Sequence, residues 1–204
     1  MIAIIDYGVG NLFSLKSSFS AIGQEVVVTN SPDEIRKAEK IILPGVGAFS
    51  DAAKKLKDTG LGAVVVEEAK KGKKIMGICL GMQMLFEKSF EYGEHEGLGL
   101  IPGEIRAIEE VIPKDYKIPH IGWNSLTFKK DSEILKYIKD GDFVYFVHSF
   151  YAADCDEYVT STSDYGYPLT ASVQNKNVYG CQFHPEKSGE VGLNILRAFC
   201  ESEG

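Results

Sequence analysis

Cys79 stands between Gly77 and Gly81 in "GICLG", where an apolar run gives way to a helical pattern. This is the G-x-nucleophile-x-G form of a nucleophile elbow, a strained strand-to-helix turn that exposes its central side chain above a sheet. The glycines are needed there because bulkier residues would meet neighbouring backbone at so sharp a bend. The start of a helix also favours a thiolate, and its free N–H groups can hold an oxyanion. A cysteine used only for packing needs neither glycine. Downstream, "CQFHPEKS" places His184 and Glu186 two residues apart with Pro185 stiffening the corner, so both can project to one side. A thiol nucleophile needs a base to take and return its proton, and the base needs a carboxylate to orient it. Cys79, His184 and Glu186 have the types for those three tasks.

Rival groups fit less well. His148, in "YFVHSF", has no acidic residue within five positions on either side and reads as a structural histidine. Cys181 has no helix directly after it and shares a strand face with Tyr179 and Phe183, as a core residue would. Cys155, in an acidic turn, and Cys200, in the last helix, also read as structural. "GVGNLF" and "GVGAFS" follow strands but carry Phe13 and Ser50 where a dinucleotide fingerprint has Gly or Ala. They mark tight turns, or places where backbone comes close to a ligand. The four histidines, at 95, 120, 148 and 184, lack the spacings of zinc sites, so no metal is expected.

The elements that must position these groups alternate in the first half. "MIAIID", "EVVVTN", "KIILPG" and the run before Cys79 read as strands. Helices fall between them: one capped by Asn11 and ended by Gly23, a short one with Ser31 as N-cap and Pro32 at its first position, and two separated near Gly60. The run after Cys79 reads as an amphipathic helix reaching Lys88. Buried V/I-rich strands joined by helices imply a parallel sheet covered on both faces. From about residue 98, strand patterns follow one another with short turns, apart from a brief helix in "SEILKYIK" and a closing helix in "SGEVGLNILRAF". No linker or repeat interrupts 1–204, which reads as one domain.

With 44% apolar residues and a net charge of −7, the chain suits an ordinary core and disfavours nucleic acid. No apolar run reaches the roughly 20 residues of a spanning helix, and the N-terminus lacks a signal-peptide pattern. Four cysteines without a C-x-x-C pair suggest reduced thiols. These features favour the cytoplasm.

"PGVGAF", "GICLGMQ" and "FHPEKS", in that order across most of the chain, resemble the class I (triad) glutamine amidotransferases. The resemblance implies a flavodoxin-like α/β fold: a mixed, mostly parallel sheet with helices on both faces and added antiparallel strands. It implies that Cys79 attacks the side-chain amide of glutamine, that His184 shuttles the proton and that Glu186 orients His184. Ammonia would leave a glutamyl thioester for water to hydrolyse. The amide of Leu80 and a backbone amide at Val46 or Gly47 would hold the oxyanion; Gln83, Glu91, Ser149 and Phe150 would line the glutamine pocket. No cofactor is implied.

"DYGVGNLFSL", "IPHIGWN" and "YFVHSFY" narrow the resemblance to the branch that serves histidine biosynthesis. There the glutaminase is a separate subunit, forms a heterodimer with a (β/α)₈-barrel cyclase and passes ammonia to it. The products would be imidazole glycerol phosphate and an aminoimidazole carboxamide ribotide. Asn11, His120, Trp123 and Lys187 match positions at or near that interface. Trp123 suits an exposed docking surface and a core position equally well. Relative to simpler Gly-Gly arrangements, "PGVG" carries Val46 as an extra residue, which implies that this segment must flip to complete the oxyanion hole once the partner is loaded. One such donor is typically worth ~3 kcal/mol of barrier. Three rivals stand beside this reading: another triad amidotransferase component, a thiol peptidase on the same elbow, and a binding module without catalysis or a flavodoxin-like cofactor binder.

Overall fold

A computed structural model describes residues 1–202; the single unit expected over 1–204 extends two residues beyond them. Short aliphatic runs form the parallel strands, each followed by a helix that packs back on the sheet. The first half reads β1 (Ile2–Ile5), α1 (Leu12–Ala21), β2 (Val26–Thr29), α2 (Pro32–Lys37), β3 (Lys40–Leu43), α3 (Phe49–Asp58), α4 (Leu61–Lys70) and β4 (Lys74–Ile78). After α5 (Leu80–Met84) come β5 (Phe86–Ser89), β6 (His95–Glu96), β7 (Ile101–Ala107), β8 (His120–Ser125) and β9 (Thr127–Phe128). The chain continues through β10 (Phe143–His148), β11 (Phe150–Ala153), β12 (Val159–Asp164), β13 (Pro168–Asn175) and β14 (Val178–Cys181), and ends in α6 (Gly189–Glu201).

The central sheet runs β2-β1-β3-β4-β14-β13-β12-β9. Its first five strands are parallel, and β13, β12 and β9 are added after β14, each antiparallel to the strand before it. Alternate side chains along each strand enter opposite layers. Ile41, Leu43 and Ile75 pack under α2, α3 and α4, whereas Ile42, Met76 and Ile78 pack under α1 and α6. The mixed sheet with helices on both faces is the architecture expected from the sequence. A two-stranded sheet, β8 with β10, and a four-stranded one, β11-β7-β5-β6, flank its C-terminal edge.

Asn11 caps α1 as read, its Oδ1 accepting from the Ser14 amide at 3.3 Å. Three local expectations change. The helix after Cys79 is only five residues long and buried all round, not amphipathic through Lys88. Phe86–Ser89 instead pairs in parallel with β7, so ladder bonds and burial override the local helical pattern. Ser31 precedes α2 without a side-chain capping bond. "SEILKYIK" holds only a 3₁₀ turn at Glu133–Leu135. The strand before His184 shows no exposed face, because β4 and β13 flank it and both layers cover it.

Candidate active site

The C-terminal ends of β1, β3, β4 and β14 meet where open α/β sheets bind their ligands. Cys79 is the joint between β4 and α5. Its amide donates to the Cys181 carbonyl at 2.8 Å, and its carbonyl accepts the first bond of α5 from Gln83 N at 3.2 Å. Between these constraints Cys79 takes φ 53° and ψ −114°, a conformation of stored strain for a non-glycine residue. The flanking glycines permit it by close approach. A Cβ on Gly77 would lie 2.6 Å from the Gly81 carbonyl oxygen, and one on Gly81 only 1.8 Å from the Leu43 oxygen. With so short a helix behind it, the polarity at Cys79 comes chiefly from first-turn N–H groups, Leu80 among them, that have no acceptor within the helix.

His184 lies just past β14. Its amide donates to the Tyr145 carbonyl at 2.9 Å, and Pro185 opens a 3₁₀ turn that returns Glu186 to the ring. His184 Nδ1 is 2.8 Å from Glu186 Oε1, with both side chains nearly excluded from solvent. Ser188, which the sequence reading did not single out, clamps this corner: its hydroxyl donates to the His184 carbonyl at 2.6 Å and accepts from the Tyr145 amide at 3.0 Å. Burial by itself lowers the His184 pKa, but hydrogen bonds and charge from Cys79 and Glu186 outweigh it and push it up to about 10. A protonated imidazole there is a proton donor ready for a leaving group.

A cavity of about 320 Å³ opens over Cys79 and His184. Val46, Gly47, Leu80, Gln83, Glu91, Ser149 and Phe150 all line it, so the fold gathers every residue expected in the oxyanion hole and the pocket. Glu91 is buried, and its Oε2 accepts from the Phe49 amide at the start of α3, 2.7 Å away; burial raises its pKa. Tyr92, Pro119, Val147 and His148 complete the wall without having been expected there. Gln182 is another addition. The Phe150 carbonyl can only accept, so Gln83 Nε2 donates to it at 3.2 Å and also to Gln182 Oε1 at 3.0 Å. That leaves Gln182 Nε2 facing Cys79 Sγ at 3.8 Å. Its one hint in the sequence was a glutamine embedded in an apolar strand. A larger open groove, about 840 Å³ between α3 and α4, shares no lining residue with this cavity.

The model of the class-I glutamine amidotransferase domain matches residues 3–202. The chain belongs to that family. Among curated relatives of this glutamine amidotransferase, imidazole glycerol phosphate synthase subunit HisH of Caldanaerobacter subterraneus subsp. tengcongensis is 50% identical over 98% of each chain. HisH of Aquifex aeolicus is 50% identical over 96% of this chain and 94% of its own. Solved structures share the fold at lower identity. A glutamine amidotransferase crystal structure superposes with TM-score 0.77 at 17% identity, covering 98% of both chains. The Thermotoga maritima PurLQS structure gives 0.74 at 22%, covering 98% of this chain and 96% of that one.

The amidotransferase's other thiols are held protonated by burial, which pushes Cys155 up to about 12 and Cys200 up to about 11 and raises fully buried Cys181 well above the ordinary thiol value. Cys181 packs with Tyr179 and Phe183. His148 is enclosed and lowered to about 3, too weak a base to rival His184; burial also takes His120 down to about 4. A histidine whose folded pKa is depressed binds fewer protons folded than unfolded, so its stability is complete above the unfolded value near 6.5 and is lost as pH falls toward the folded one. We expect urea unfolding between pH 6 and 4.5 to show stability falling by about 1.4 kcal/mol per pH unit from each of the two. A flat profile there would contradict their burial as neutral rings.

Of the expected interface residues, Trp123 is 55% exposed on the outer face of β8, beside the similarly exposed Ile121, and its ring lies 6.2 Å from that of Tyr145. Lys187 Nζ sits 5.8 Å from the same Tyr145 ring. Asn11 is half-buried at the head of α1. His120 differs: it turns inward from β8 and is 2% exposed, so it borders such a surface without forming it. No helix among the described residues is long and apolar enough to cross a membrane.

Proposed function

We propose that this chain is the glutaminase subunit of an imidazole glycerol phosphate synthase, working in the cytoplasm as one domain over 1–204. The observation that carries the reading is a thiol on a strained elbow and a carboxylate-paired histidine, both opening into one small cavity. In the proposed cycle the Cys79 thiolate attacks the side-chain amide carbon of glutamine. Negative charge builds on the carbonyl oxygen and is taken by the Leu80 amide together with an amide at Val46 or Gly47. His184 gives its proton to the departing nitrogen, and ammonia leaves the glutamyl thioester. His184 then takes a proton from water, which attacks the thioester; glutamate departs and the thiolate beside protonated His184 is restored. Glu186 keeps the imidazole oriented and stabilises its charged form. Gln83, Glu91, Ser149 and Phe150 hold the substrate.

The cavity volume lies at the low end of the roughly 300–1,000 Å³ of small-molecule sites, which suits a single amino acid better than a polypeptide. A thiol peptidase is disfavoured on that ground. The HisH names of the relatives support delivery of the ammonia to a cyclase partner, proposed here as a (β/α)₈ barrel. The exposed Ile121–Trp123 face and Lys187 suit its docking, because exposed aromatic and aliphatic side chains with a cation nearby make an effective interface core and rim. In this reading the Pro44–Gly47 segment withholds its oxyanion donor until the partner is loaded with ribotide. Glutamate release should therefore be slow for the chain alone and about a hundredfold or more faster with cyclase and ribotide ligand, the usual worth of one oxyanion donor. Equal rates would overturn the gating, and no glutamate in either mixture would overturn the glutaminase assignment.

A further inference from the structure

A chain of polar groups runs inward from half-buried Asn124 on β8 to the cavity wall. Asn124 is pinned by backbone: its Oδ1 accepts from Ser125 N at 2.8 Å, and its Nδ2 donates to the Asp164 carbonyl at 2.7 Å. The amide orientation is thereby settled, and the second Nδ2 hydrogen points at His120 Nε2, 3.2 Å away, which must accept. His120 Nδ1 is 3.0 Å from His148 Nε2. At the far end His148 Nδ1 is 2.8 Å from the Phe150 carbonyl oxygen, which can only accept, so Nδ1 carries the proton and Nε2 is bare. His120 Nδ1–H must then donate to it. Two independent ends, each set by backbone groups, demand the same tautomers. Reversing either ring would set two lone pairs or two protons against each other in a buried space.

We propose that Asn124, His120 and His148 form a one-way hydrogen-bond relay that positions the wall of the glutamine pocket and, through the Phe150 carbonyl, the Gln83–Gln182 pair beside Cys79. The Phe150 carbonyl is the meeting point, receiving His148 from one side and Gln83 from the other. His148, Ser149 and Phe150 are consecutive lining residues, so the relay holds both ends of that stretch. His120 is itself stacked between Phe146, at 4.8 Å, and Tyr165, at 4.2 Å, which leaves its ring little freedom to turn. Burial also keeps both rings neutral, as a bare acceptor nitrogen requires. These are positioning residues: they reach the chemistry through Phe150 and Gln83. The outer end lies on β8 next to exposed Trp123, so the relay joins a surface strand to the nucleophile's surroundings.

The kinetic consequence rests on the glutaminase reading; the tautomers do not. Ring ¹⁵N spectra of the full chain at pH 7.5 should show His120 and His148 both protonated at Nδ1 and bare at Nε2. A ring protonated at Nε2 in either overturns the relay. In the complex with cyclase and ribotide ligand, His120→Phe keeps the stacking and removes the donor; it should raise the KM for glutamine about tenfold with kcat within about twofold. His120→Asn places an amide donor near the former Nδ1 and should recover most of that loss. Equal KM in His120→Phe and wild type, or an Asn variant as impaired as the Phe variant, would refute a hydrogen-bonded role. Should His120→Phe not fold, Asn124→Leu serves at the half-exposed rim: the Phe150 end still sets both tautomers, but the bare His120 Nε2 loses its accepted hydrogen bond, so its ¹⁵N signal should shift and KM should rise by a few-fold. An unshifted His120 Nε2 signal together with an unchanged KM in that variant also overturns the proposal. A failed glutaminase reading would look different, with no glutamate from wild-type complex while the tautomers persist.

Discussion

Replacing Cys79 with alanine should abolish glutamine hydrolysis, by about 10⁴-fold or more, with the fold retained. The size follows from the covalent route. Without the thiolate there is no thioester, and what remains is water attack assisted by binding and oxyanion donors alone. Alanine fits the elbow sterically because the close contacts there belong to Gly77 and Gly81, not to the cysteine side chain. The variant carries a second, independent readout. Cys79 is the leading cause that raises His184, so its removal should bring the His184 pKa down from about 10, while the Glu186 bond at 2.8 Å still supports the ring. Titration of the His184 ring by NMR would show it. Undiminished glutamate release would remove Cys79 from the mechanism. A His184 pKa unmoved by the substitution would mean that the two side chains do not interact.

Gly81→Ala should cost more than activity. Its Cβ would be driven to 1.8 Å from the Leu43 oxygen and 2.7 Å from the Leu43 carbon. Both are backbone atoms of a central strand that pairs with β1 and β4, so nothing flexible can give way. Overpacking of this kind costs about 3 kcal/mol or more, a large part of the roughly 5–15 kcal/mol that holds a domain together. For a chain of this size a melting temperature lower by about 6–12 °C is expected. Because Leu43 leads directly into the Pro44–Gly47 segment, the fraction that folds should still turn over poorly. Gly47→Ala is the contrast: Gly47 has φ +93°, but a Cβ there would meet no atom within 4 Å, so only backbone strain of about 1–2 kcal/mol is at stake. Calorimetry of the pair separates collision from strain. Equal melting temperatures would refute the close-packing account of the elbow.

What the sequence determined by itself was whatever depends on near neighbours. The G-x-C-x-G spacing made the elbow legible, because steric limits at a tight turn act within a few residues. His-Pro-Glu placed a base against its carboxylate for the same reason. V/I-rich runs alternating with capped helices implied the parallel sheet. The tertiary structure decided what depends on distant partners. Gln182 gained meaning only from Gln83, 99 residues away, and from Cys79, 103 residues away. The run after Cys79 reads as a helix locally, yet its second half becomes strand because β7 offers ladder bonds no local pattern announces. Trp123, equally suited to core or surface from its sequence context, is outside because it shares with Ile121 the face of β8 that packing leaves open to solvent. His120 and His148 reveal their tautomers only when Asn124 and the Phe150 carbonyl close both ends of the chain, since a proton's position on imidazole is set by its hydrogen-bond partners and not by residue order.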